Sequence, residues 1–393
     1  MPGPLKELKI LDFTTLLPGP YATMALADMG ADVLRVVSRS RPDVVAYIPP
    51  IIPGIDLSAA FVYLGRNKRC MTLNLKDSRA IRIIRQLISH YDILIEQFRP
   101  GVMAKFDLDY ESLSKVNPSL IYCSLTGYGQ TGPFRDRAGH DINYLARSGL
   151  MSYSGKKEEG PSLASMQIAD VASGSDNAII GILAAVIDRN RTGRGQHIDI
   201  SMTDGVIAFN AMFGAGFLVD GKEPLREQTL LNGGSLYDFY ETKDEGYLSV
   251  GSIEPQFFAA FCKVINCPDL IPGGIEPPDI ENVKKRVREI IKTKTRDEWV
   301  EAFSKVDACV EPVLSLTEAL DNAYTKEREL VVDVGLPGGG KVRQLACPIK
   351  FSKTPPEYRQ AGAPPGVHTK EVLLELGYSE EDIEAFDKAG LFS

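Results

Sequence analysis

Five short apolar runs in the first third of the chain, at 8–13, 32–37, 71–75, 93–96 and 120–125, alternate with stretches of helical spacing at 21–29, 79–90 and 102–116. In 79–90, Ile81, Ile84, Leu87 and Ile88 share one helical face. A chain that repeats strand, helix, strand has few options. Parallel strands need long crossovers, and the crossover helices then cover the sheet. The pattern predicts an α/β fold built on a Rossmann-like parallel sheet.

Further along, 170–190 reads as a buried helix, followed by the turn Thr192-Gly193-Arg194-Gly195 and a strand at 196–200. The character changes near Gly221. Segments 236–240 and 247–251 form a hairpin pattern around Lys243-Asp244-Glu245-Gly246, with helical spacing at 256–265, 280–292 and 296–303. At roughly 100–200 residues per domain, 393 residues accommodate two. The expected division is a large α/β domain, 1–221, completed by 331–393, and a small α+β domain, 222–330. Segment 271–278 reads as a loop, Gly338-Gly339-Gly340 and 355–365 as connectors, and the chain from Val367 as amphipathic helix.

Charge narrows the function. The 44 Lys plus Arg face 52 Asp plus Glu, a net charge of -8, which argues against a nucleic-acid partner but leaves room for a local basic pocket. The 6 cysteines contain no CxxC pair, and the 4 histidines no ligand-spaced pair, so neither disulfides nor a metal site is expected. The start lacks the apolar core of a signal peptide, and the best apolar run, 178–187, is about half of what spans a bilayer. The expectation is a cytoplasmic protein without a membrane partner.

Several segments invite chemistry. Leu16-Leu17-Pro18-Gly19-Pro20-Tyr21 follows the first strand but is not GxGxxG, which disfavours NAD or FAD. Arg66, Lys68 and Arg69 precede one strand and Arg99 follows another. Phosphate contacts and solvated turns are both open readings there. In Gly139-His140-Asp141-Ile142-Asn143-Tyr144, His140 precedes a helical pattern, and a helix N-terminus favours a neutral, proton-accepting imidazole. Asp170 heads the next long helix, as an N-cap or as an active-site carboxylate.

Taken together the segments resemble the family III CoA-transferases (CaiB/BaiF type) and, within them, the α-methylacyl-CoA racemases. The resemblance runs nearly end to end, through Leu11-Asp12-Phe13, Pro18-Gly19-Pro20, Gly30-Ala31-Asp32-Val33, Asn67-Lys68-Arg69, Phe98-Arg99-Pro100-Gly101, Gly127-Tyr128-Gly129, Gly139-His140-Asp141-Ile142-Asn143-Tyr144 and Gly193-Arg194-Gly195-Gln196 to His368-Thr369-Lys370. It implies a CoA thioester as substrate, with no permanently bound cofactor, and an interlocked homodimer.

For the racemase branch the resemblance implies catalysis by His140 and Asp170, with Glu254 of Gly251-Ser252-Ile253-Glu254-Pro255-Gln256 orienting His140 from the partner's small domain. A backbone N–H at the helix start beginning with Asp170 would hold the enolate oxygen, because N-terminal amides lack internal partners. A transferase would instead use Asp170 as nucleophile, behind a glycine loop longer than Asn232-Gly233-Gly234-Ser235-Leu236-Tyr237. A third reading is a non-catalytic partner subunit. Family correspondence places CoA against Leu16, Arg39, Leu73, Gln97, Phe98 and Arg99, with Lys68 or Arg69 near its phosphates. The chain departs from many relatives at Val36-Val37-Ser38-Arg39, where a charged residue usually precedes the arginine. Met151, Met212 and Tyr237 are candidates for an acyl channel.

Overall fold

The computed structural model describes residues 3–393; Met1 and Pro2, where the leader reading begins, lie outside the described residues. Six parallel strands form the main sheet: β1 (Lys9–Phe13), β2 (Asp32–Val37), β3 (Lys68–Thr72), β4 (Ile93–Glu96), β5 (Ile121–Thr126) and β6 (His197–Ser201). Their spatial order is β3-β2-β1-β4-β5-β6, with every neighbouring pair parallel. This is the doubly wound order. The sequence direction reverses between β1 and β4, opening a crevice at their carboxyl ends.

Helix α1 (Pro18–Asp28) starts with proline at its first turn, where the missing N–H costs nothing. Helix α2 (Ser78–Ile88) is capped by Asp77, which accepts the Arg79 N–H at 2.9 Å. Its Ile83, Ile84, Leu87 and Ile88 pack with Leu11, Leu34, Met71 and Leu94 into one apolar core. The chain end closes that core with Leu391 and Phe392. The returning segment also covers β3, an edge strand. His368 exchanges hydrogen bonds with the backbone of Cys70, and Thr369 Oγ1 accepts the Thr72 N–H at 3.1 Å.

Several expectations are corrected. The third main-sheet strand starts at Lys68 rather than at residue 71, because Lys68 is buried on Thr23 and Asp12 and Arg69 is half-buried on acidic partners. Segment 102–116 is two short turns, Met103–Phe106 and Tyr110–Leu113, since Asp107 between them is left-handed at φ 52°. Gly338-Gly339-Gly340 is a hairpin turn joining Val331–Gly335 to Lys341–Leu345, not a free connector. Part of the expected 271–278 loop belongs to the 3₁₀ turn Pro268–Gly273.

The chain divides into two compact units: residues 1–148, 165–208 and 326–393, and residues 149–164 with 209–325. The small unit thus begins earlier than residue 222. Arg226 binds the Met151 and Ser154 carbonyls, and Tyr153 donates to Asn210, tying 150–154 and 210 to the segment beyond. Its sheet is antiparallel, ordered Val310–Pro312, Tyr247–Val250, Asp238–Glu241. Tyr240, Phe258, Phe261, Trp299 and Phe303 fill its core.

The expected buried helix is a continuous stretch, Ala169–Thr192, long and apolar enough by length and composition to cross a membrane. Within the large unit it buries Ala178, Ile182 and Ala185 but leaves Ile180 64% and Ile187 73% exposed. The sequence is apolar on more than one face, and the chain covers only one of them.

Candidate active site

The stretch opens with a π-helical segment, Ala169–Ser175, which continues as an α-helix, Asp176–Thr192. Single π turns within helices recur at functional sites. Asp170 lies in this segment and is not its cap. The capping carboxylate comes from a second helix: Asp141 Oδ1 accepts the Ala169 N–H at 2.7 Å and the Asp170 N–H at 3.0 Å. The Asp170 amide, one of those expected to hold an enolate oxygen, is therefore engaged by Asp141.

Asp141 is the first residue of the helix Asp141–Arg147, and His140 is its N-cap residue. The His140 N–H donates to Asn143 Oδ1 at 3.0 Å, which fixes the backbone at the imidazole. Glycines let this start approach the sheet. A Cβ on Gly127 or Gly139 would sit 2.3 or 2.6 Å from the Tyr144 ring, whose hydroxyl donates to the Gly139 carbonyl at 2.5 Å. The imidazole is exposed within the chain, and Asp170 is partly buried.

Burial, and then the Asp141 charge, push the Asp170 carboxyl up to about 6, while His140 pulls against them. No arginine or lysine joins the causes acting on it. A carboxyl held near neutrality beside an imidazole is equipped to give and take protons.

The site is tied to the crevice. Ser175 Oγ donates to the Pro18 carbonyl at 2.6 Å, and the Gly19 N–H donates to Gln97 Oε1 at 3.2 Å. Leu16, Arg39, Gln97, Phe98 and Arg99 all follow the carboxyl ends of β1, β2 and β4, and Arg39 and Arg99 are exposed there. Leu73 follows β3, but its side chain is core.

Two cation assignments are corrected. Lys68 is 2% exposed; its Nζ bonds the Pro20 carbonyl at 2.8 Å and Thr23 Oγ1 at 2.6 Å, with Asp12 at 3.4 Å. Arg69 is bound to Asp32, Glu371 and Glu375. Neither offers a free charge to a phosphate, and Arg66 is likewise buried on Asp28 at 2.5 Å.

Glu254 belongs to the small unit, exposed at the N-cap of Pro255–Val264. In that unit the Asn232–Tyr237 loop is pinned by Lys284 Nζ, which donates to the Gly233 carbonyl at 2.6 Å. Two residues escaped the sequence reading. Asp141 was legible only as an acid in a first helical turn. Glu96, buried at the end of β4, accepts the Phe98 N–H at 2.8 Å, and its carboxyl is pushed up to about 7 by burial.

A doubly wound sheet whose switch-point crevice is tied to a helix start carrying a raised carboxyl defines an α/β protein with a ligand-binding crevice. The chain belongs to CoA-transferase family III, whose model matches residues 5–369. It is 36% identical over 385 residues to the α-methylacyl-CoA racemase of Mus musculus, covering 96% of this chain and 95% of the relative. It is 34% identical over 395 residues to the succinyl-CoA:glutarate CoA-transferase of the same species, covering 97% and 88%. A CAIB/BAIF family protein from Brucella suis shares the fold at TM-score 0.84 and 27% identity, over 96% of this chain and all of that one.

Proposed function

We propose that the chain is an α-methylacyl-CoA racemase. The observation that carries the reading is the Asp170 carboxyl, lifted to about 6 by burial and by Asp141 and set beside His140. The 36% identity to a racemase supports it.

Inverting a carbon next to a thioester carbonyl needs a base on one face and an acid on the other. For one epimer, neutral His140 takes the α-proton, leaving an enolate and an imidazolium. Protonated Asp170 then gives its proton to the opposite face and becomes a carboxylate. The other epimer runs the exchange in reverse. A carboxyl raised by burial and by Asp141 keeps its proton more readily and is a stronger base when it has lost it. With the Asp170 amide engaged, the enolate oxygen needs another donor. The N–H groups of Asp141 and Ile142 precede the first i→i−4 bond of their helix and are free of that ladder.

In this reading CoA lies along Leu16, Arg39, Gln97, Phe98 and Arg99, and Glu254 of a second copy orients His140. The exposed Ile180 and Ile187, with Leu218 and Val219 at 85% and 89% exposed in the small unit, are the apolar surface such a homodimer would cover. The 34% identity to a transferase supports a second reading, in which Asp170 attacks the thioester. Chiral analysis of a single 2-methylacyl-CoA epimer, incubated without any acceptor acid, separates the two. A racemase drives it to a near-equal mixture. A transferase leaves it unchanged and moves CoA only when a carboxylic acid is added.

A further inference from the structure

Leu16 stands in the turn between β1 and α1, at the crevice, with φ 62°. Left-handed backbone is uncommon for a residue with a side chain of this size, so something must hold it there. Its N–H donates to Asp43 Oδ2 at 3.1 Å, and the same oxygen accepts Arg35 Nη2 at 2.6 Å. Asp43 Oδ1 takes the Val45 N–H at 3.1 Å. Arg35 also reaches the turn directly, Nε donating to the Thr14 carbonyl at 3.3 Å, while its guanidinium lies 5.0 Å over the Phe61 ring. The two charged side chains are only 3% and 4% exposed.

We infer that Asp43 and Arg35 are positioning residues for CoA: together they hold the turn at the Thr14 carbonyl and the Leu16 amide and keep residue 16 left-handed, in the shape that receives the ligand. Arg35 fixes residue 14 and Asp43 fixes residue 16, so the backbone leading into the unfavourable conformation is held by one buried ion pair. The inference rests on the CoA reading of this crevice. A purely stabilising ion pair would give the same burial but would not couple to the conformation of residue 16.

Calorimetric titration of CoA into the full chain tests it, using the parent, Asp43→Ala, Leu16→Gly and the double variant, with melting temperature followed in parallel. Asp43→Ala should weaken CoA binding by about tenfold, the scale of one lost hydrogen bond to a charged group. In the Leu16→Gly background the same substitution should weaken it by no more than about twofold, because glycine enters the left-handed region freely. Asp43→Asn, which keeps a carbonyl oxygen for the Leu16 amide, should bind CoA within about twofold of the parent although it melts lower. If Asp43→Ala does not fold, Asp43→Ala combined with Arg35→Met, which removes both buried charges, carries the test in both backgrounds, and its loss of affinity must be confined to the background that retains Leu16. Equal penalties in both backgrounds, or an Asp43→Asn affinity as poor as that of Asp43→Ala, would overturn the inference alone. A parent chain that does not bind CoA would overturn the reading of the crevice and the inference with it.

Discussion

Asp12 and Asp170 are both acids of the large unit, on opposite electrostatic terms. Asp12 is wholly buried, yet Lys68, Arg35 and the hydroxyls of Thr14 and Thr23 outweigh its desolvation and hold its carboxyl below the usual range. Asp170 is only partly buried, faces a second carboxylate, and is lifted. The frame around Asp12 is charge-balanced, and Asp28, though lifted by burial, is gripped by two Arg66 hydrogen bonds; the site has no such cation. A carboxylate that costs the fold something and is retained points to chemistry, whereas a matched buried pair points to architecture.

The largest effect should come from the unbalanced side. His140→Ala and Asp170→Ala should each lower epimerisation by on the order of 10²–10⁴, measured as kcat at saturating thioester, with the melting temperature little changed. Arg66→Met breaks the balanced side. It strands Asp28 in the interior and should cost about 3–5 kcal/mol in chemical denaturation, while the folded fraction keeps its turnover. The two phenotypes should not cross over.

Asp141→Asn sharpens the comparison, because the amide oxygen still serves the Ala169 and Asp170 N–H groups but the charge is gone. For the epimer whose α-proton Asp170 removes, the acidic limb of kcat/KM, expected near pH 6 in the parent, should move to lower pH. The smallest effect is on stability. The native state holds the Asp170 proton more tightly than the unfolded chain does, so this group costs stability progressively between about pH 4 and pH 6, and in full above that. Asp170→Asn should therefore gain on the order of 1 kcal/mol above pH 6 and nothing near pH 4, by denaturant titration at both values.

The main sheet was legible because buried parallel strands are short apolar runs with polar ends, and β2 and β4 fall at the expected residues. β3 was misplaced because a buried lysine looks like a surface one until its partners are known, and Asp12 lies 56 residues away. The same distance effect hid the roles of Arg66 and Asp28, 38 residues apart. His140 and Asp170 could be named from a motif, but the group that joins them could not. Asp141 acts on an amide 29 residues downstream, a contact made only when two helix starts meet.

The measurement that bears most directly on the His140–Asp170 pair is α-deuterium incorporation from D₂O into one epimer of a 2-methylacyl-CoA, followed across pH without an acceptor acid. The account predicts exchange accompanied by loss of optical purity, with an acidic limb near 6 for the epimer that Asp170 deprotonates, and no loss of optical purity in His140→Ala or Asp170→Asn. A parent enzyme that exchanges no deuterium, yet transfers CoA once a carboxylic acid is supplied, would contradict it and make Asp170 a nucleophile.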